Sequence, residues 1–201
     1  MQGRSSGFAL APSRTCAGNG PAGVKTIMPD TILINRAPVL TLWANVVAER
    51  LGFDRAAALT LGKAMAGLTA QSKGRHLGIF NPGKDLRGEK PPKVGLGEEF
   101  WVEIVGRPIP AKHTADGIRA VVKDQPIDPA GVERYLTQKF GENLEKVRRA
   151  LEQLARASTP AELADEAYSL YVRFRPGIPA GEAGWGAKGK LDLDVIRSLA
   201  K

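Results

Sequence analysis

Residues 71–76 read Gln-Ser-Lys-Gly-Arg-His. The Ser72 hydroxyl, the cations of Lys73 and Arg75, a third potential cation at His76 and the free backbone N–H groups around Gly74 are donors suited to a phosphate. The glycine and Lys-Ser/Thr spacing of a Walker A loop is absent. The same six residues also suit a solvated helix end, where basic side chains complement the C-terminal dipole. His76 and His113 are the only histidines. Neither stands at ligand spacing from a cysteine or carboxylate, so no metal and no cofactor is expected. No motif supports Ser/His/Asp or Cys/His catalysis. Lys112-His113-Thr114 reads as a surface loop, and Asp192 and Asp194 as solvated acids on a short strand or helix cap. A second patch combines Trp185 with Lys188 and Lys190, near Arg173 and Arg175. Base stacking with backbone neutralisation uses that combination, although a tryptophan pinning its own loop does so equally.

Charge points the same way. The 201 residues hold 29 Lys/Arg and 21 Asp/Glu, a formal net charge of +8. Residues 1–80 carry 9 Lys/Arg against 3 Asp/Glu, and residues 81–201 carry 20 against 18. The surplus therefore gathers around the stretch that ends in the 71–76 donors, which suggests a polyanionic partner. No apolar run approaches the roughly 20 residues needed to span a bilayer, so no membrane role is expected. Cys16 is the single cysteine, and a reducing, cytoplasmic setting follows from the lack of any internal disulfide.

The elements that must position these residues are legible in outline. Residues 1–27 lack any acid and are rich in Gly, Ala, Ser and Pro; a disordered extension is expected, with Met28 a natural beginning and 28–201 a single, mostly helical domain. Thr31 to Ile34 suits a short strand. Two helices follow, over about 38–51 and 54–70. Val39, Leu40, Trp43, Val46, Val47 and Leu51 share one face of the first, Gly52 takes its C′ position and Asp54 caps the second. Asn81-Pro82-Gly83 marks a turn. Glu99 to Val105 and Ile118 to Val122 alternate as strands, with Gly106 to Pro110 breaking the first and Pro126-Ile127 a brief return. Asp128 caps a helix to about Phe140, Asn143 the next, and Thr159 with Glu162 forms a capping box for a third. A short helix over about 194–200 closes the chain. The fold class expected is α+β, predominantly α: a helical pair, a small β element and a C-terminal helical bundle.

Within the helical pair, residues 47–67 resemble a helix-turn-helix. Val47-Ala48-Glu49-Arg50-Leu51-Gly52 is similar to the supporting helix of bacterial regulators, and Phe53-Asp54 stand where a recognition helix begins. The resemblance implies DNA as partner, with the second helix in the major groove and Arg55, Thr60 and Lys63 as contacts. Ala56, Ala57, Ala58 and Leu59 depart from that pattern and suit close helix–helix packing instead. The whole chain resembles uncharacterised bacterial proteins with an RAPVLTLWA…SKG…LGIF segment and a GWGAKG…L tail, which implies one co-adapted unit and no particular activity. The function expected is non-enzymatic nucleic-acid binding. Lys63, Lys73, Arg75 and His76 would contact phosphates and Arg55 a base edge. A protein-interaction or assembly module is the alternative, and an enzyme of unknown class the third reading.

Overall fold

The computed structural model describes residues 30–76, 98–181 and 186–201. The expected extension over 1–27, the turn at 81–83 and Trp185 lie outside the described residues. The chain runs β1 (Thr31–Ile34), α1 (Arg36–Arg50), α2 (Arg55–His76), β2 (Glu99–Ile104), β3 (Arg107–Thr114), β4 (Gly117–Val122), β5 (Gln125–Pro126), α3 (Pro129–Phe140), α4 (Leu144–Arg156), α5 (Pro160–Phe174), β6 (Gly189–Asp192) and α6 (Leu193–Leu199). It is a mixed α+β fold with helices predominant.

Everything is built around α1. Instead of one buried face, α1 has eleven consecutive buried residues, Pro38 to Ala48. A helix apolar on all sides belongs in the middle of a core, and α2, α3, α4 and α5 all pack against it. Trp43 is fully buried, donates Nε1–H to the Ala167 carbonyl of α5 at 2.8 Å and meets the Phe174 ring edge-on at 5.4 Å. The α1–α2 corner follows the local signals. Gly52, at φ +101°, donates to Glu49 O and Phe53 to Ala48 O, the paired bonds of a Schellman motif. Asp54 Oδ1 then accepts the Ala57 N–H at 2.9 Å. At Gly62 the two helices come so close that a Cβ would lie 2.5 Å from Thr41 O and 2.9 Å from Asn45 N.

The β element is larger than the two or three strands expected. β2, β3, β4 and β5 form a four-stranded antiparallel sheet in that order. Gly106 to Pro110 does not end the pairing: Val105 (φ +54°) and Gly106 (φ +69°) make a two-residue hairpin turn, and β3 continues through Pro108 and Pro110 to Thr114. β4 joins β3 only from Ala111. At the two prolines β3 is therefore an edge strand, where a missing N–H leaves no ladder bond unmade. Lys112 and His113 sit on this strand, not on a loop, and the His113 ring stacks on Phe100 with centroids 4.7 Å apart.

Beyond the sheet, Asp128 caps α3 through Ala130 and Gly131, and Thr159 and Glu162 complete their capping box on α5. Asn143 makes no side-chain cap, because the chain enters α4 through a 3-10 turn over Gly141–Asn143. α6 is capped by Asp192, as the strand-or-cap reading of these acids allows, and starts one residue early. β6 pairs antiparallel with β1, Thr31 opposite Asp192 and Ile34 opposite Gly189. The first and last described strands thus close one hydrophobic cluster, which runs from Ile34 to Ile196.

Candidate nucleic-acid interface

α2 is the element to which the sequence assigns most of the chemistry. It runs unbroken for 22 residues to His76 and contains no Asp or Glu. The expected corner and the basic stretch are consequently one rod. Lys63, Lys73, Arg75 and His76 all belong to it, with Lys63 and Lys73 roughly 15 Å apart along the axis at 1.5 Å per residue.

The first half of that rod is enclosed. Ala57 to Gly62 and Ala64 to Ala66 are buried against α1, α3, β3 and β4. Thr60, one of the residues the helix-turn-helix resemblance offers to DNA, is fully buried; its hydroxyl donates to Ala57 O and accepts the Ala120 N–H of β4 at 3.0 Å. A groove-reading helix must present its early residues outward. Here the alanines pack inward, as their size allows. Past the first turn, the described residues of α2 that are not buried are Lys63, Gly67, Leu68, Ala70, Gln71 and Ser72.

Two of the residues assigned to nucleic acid are engaged with α3. Arg55 forms an ion pair with Glu133 at 2.7 Å, both side chains more than half exposed. Such a pair is worth well under about 1 kcal/mol, so a phosphate competes with it easily. Lys63 places Nζ 3.8 Å from the centroid of the Tyr135 ring. Burial lowers the pKa of Lys63, and the nearby Lys139 cation lowers it further. Tyr135 is itself pushed up by burial, so its hydroxyl keeps its proton.

The second patch is assembled by backbone pairing. Gly177 and Lys190 exchange N–H···O bonds at 3.1 Å, which sets the 175–177 and 188–190 stretches side by side. Arg173, Lys188 and Lys190 are exposed, and Arg175 is half-buried. Arg36 adds its Nε–H to Pro176 O at 3.0 Å. Burial raises the nearby Tyr171 hydroxyl to about 12, with Arg36 and Arg175 pulling the other way.

The sequence reading missed a cluster at the α1–α4 contact. Arg148 donates to Glu49 Oε2, to Glu152 Oε1 at 2.9 Å and to the fully buried Asn45 Oδ1 at 3.2 Å. Burial works against the Arg148 charge, and Glu49 and Glu152 more than restore it. The i, i+4 spacing of Arg148 and Glu152 was a visible signal; their junction with Asn45 and Glu49 was not. A comparable staple joins Asp30 to Lys146 and Arg197. Among the described residues no three His, Cys, Asp or Glu side chains are grouped to hold a metal ion, and no helix is long and apolar enough to cross a membrane. The chain matches no known protein family, and no curated protein or solved structure is significantly similar to it.

Proposed function

We propose that the protein binds nucleic acid, DNA in the first place, without catalysing a reaction on it, and that it acts in the cytoplasm. The observation that carries this reading is the acid-free α2, a single helix bearing Lys63, Lys73, Arg75 and His76 beside a net charge of +8. Cations along a helix that carries no acid of its own neutralise phosphates and release counterions, an interaction that holds the polymer without reading its sequence. Arg55 remains the residue offered to a base edge once Glu133 lets it go. The buried alanines beside it leave sequence preference weak.

A titration of fluorescent duplex DNA, single-stranded DNA and RNA across salt tests this. Affinity should fall steeply as salt rises. The Lys73→Ala/Arg75→Ala double variant should bind all sequences more weakly, with a salt slope smaller by about one unit for each cation removed. No binding to any of the three at about 0.1 M salt, where exposed charges are screened beyond about 10 Å, refutes the proposal. The protein-interaction reading then takes its place. It is favoured by Tyr168 and Val172, one turn apart on α5 and 42% and 38% exposed.

A further inference from the structure

We propose that Lys63 of α2 and Lys139 of α3 form a two-lysine clamp for a phosphate group, seated on the ring of Tyr135. The lysines come from opposite sides of the α2–α3 contact. Lys63 lies over Tyr135 at 3.8 Å, and Lys139 follows Tyr135 by one helical turn, on the same face of α3. The Lys139 charge acts in the same direction as burial, lowering the Lys63 pKa.

Two ammonium groups flanking one aromatic ring repel each other, and a native structure ordinarily sets a carboxylate near them. None is there. Glu133, the acid on this stretch of α3, is taken by Arg55, and among the described residues neither Lys63 nor Lys139 forms an ion pair. α2 supplies no acid of its own. Lys63 is also half-buried with its stem against an aromatic ring, so its charge is less hydrated than that of a free surface lysine. A tetrahedral phosphate, with several oxygens to share between two ammoniums, supplies that negative charge without breaking an ion pair among the described residues. The clamp lies on the outer stripe of α2, upstream of Lys73 and Arg75 on the same helix. It rests on the nucleic-acid reading only for the source of that phosphate: a polynucleotide backbone, or a free phosphate compound.

The test has two arms on the full chain. In the first, pyrophosphate is titrated while the lysine side-chain NMR signals of Lys63, Lys139 and a reference, Lys123, are followed. The clamp predicts saturable shifts of Lys63 and Lys139 together, little movement of Lys123, and loss of both responses in Lys139→Gln and Lys63→Gln, with Lys63→Arg retaining binding. Equal movement of Lys123, or no movement of the pair, overturns it. In the second arm, Lys139→Gln is compared with the parent on DNA, where the clamp predicts a salt slope smaller by about one unit. DNA binding with an unchanged slope and no pyrophosphate response at the pair overturns the clamp and leaves the nucleic-acid reading standing; an unchanged slope with a saturable pyrophosphate response assigns the clamp to free phosphate compounds. Pyrophosphate binding at the pair with no DNA binding by the parent overturns the nucleic-acid reading and supports the clamp as a site for free phosphate compounds. Thermal unfolding of each variant guards against misfolding: Lys139→Gln, which removes a like charge, should not lower Tm, and Lys63→Gln should lose only the contact with Tyr135.

Discussion

Replacing Gly62 by alanine should loosen the contact on which the core depends. The added Cβ would stand 2.5 Å from Thr41 O and 2.9 Å from Asn45 N, both backbone atoms of α1. Neither can turn aside, because α1 is buried along Pro38 to Ala48. Normal contact requires α2 to retreat by roughly 1 Å, and a gap of that size forfeits up to half of the dispersion energy across the seam. Overpacking of this kind costs about 1–3 kcal/mol, against which alanine recovers up to about 1 kcal/mol of helix preference over glycine. Gly67 supplies the control. It lies on the same helix, exposed, with nothing within 4 Å of an added Cβ, so Gly67→Ala should gain the helix preference alone. The two variants should therefore move in opposite directions, separated by about 2 kcal/mol, or roughly 4–8 °C in Tm for a chain of this length. Urea and thermal unfolding followed by circular dichroism measure both. If Gly62→Ala stabilises the protein as much as Gly67→Ala does, the close approach of α1 and α2 is wrong.

Other perturbations probe the polar contacts. Arg148→Met should cost about 3–5 kcal/mol in urea unfolding, because it strands Glu49, Glu152 and Asn45 at a largely buried contact; Arg55→Ala, which breaks an exposed pair, should cost less than about 1 kcal/mol. The Asp30 carboxyl is held below its ordinary value chiefly by the Lys146 hydrogen bond, with Arg197 assisting and burial opposing. A carboxyl lowered in the folded state contributes stability above its unfolded pKa of about 3.9, and that contribution fades as pH falls through the folded value. Asp30→Asn should accordingly lower Tm at pH 7 and flatten the loss of Tm below about pH 4; an acid limb identical to the parent's would remove the staple from the account.

Local features are legible in the chain without its fold. Asp54, Asp128 and Thr159 accept N–H groups two or three residues on, and Gly52 donates its own N–H to Glu49 O three residues back, so their types and spacing suffice to place helix ends. The alternation in Glu99 to Ile104 and the apolar spacing of α3, α4 and α5 report one buried face each, and the structure keeps those faces. Tertiary structure decided whatever depends on partners far along the chain. Pro108 and Pro110 read as a break until β4 is seen to begin pairing only at Ala111. α1 looks amphipathic in isolation, and only the helices around it bury its remaining sides. The same separation governs the basic residues. Arg55 meets Glu133 across 78 positions, and Arg148 meets Asn45 across 103. Lys139 carries no local mark that would join it to Lys63. Periodicity records which face a helix buries; which element covers that face, and which charge waits there, is settled by a packing that no short window of sequence encodes.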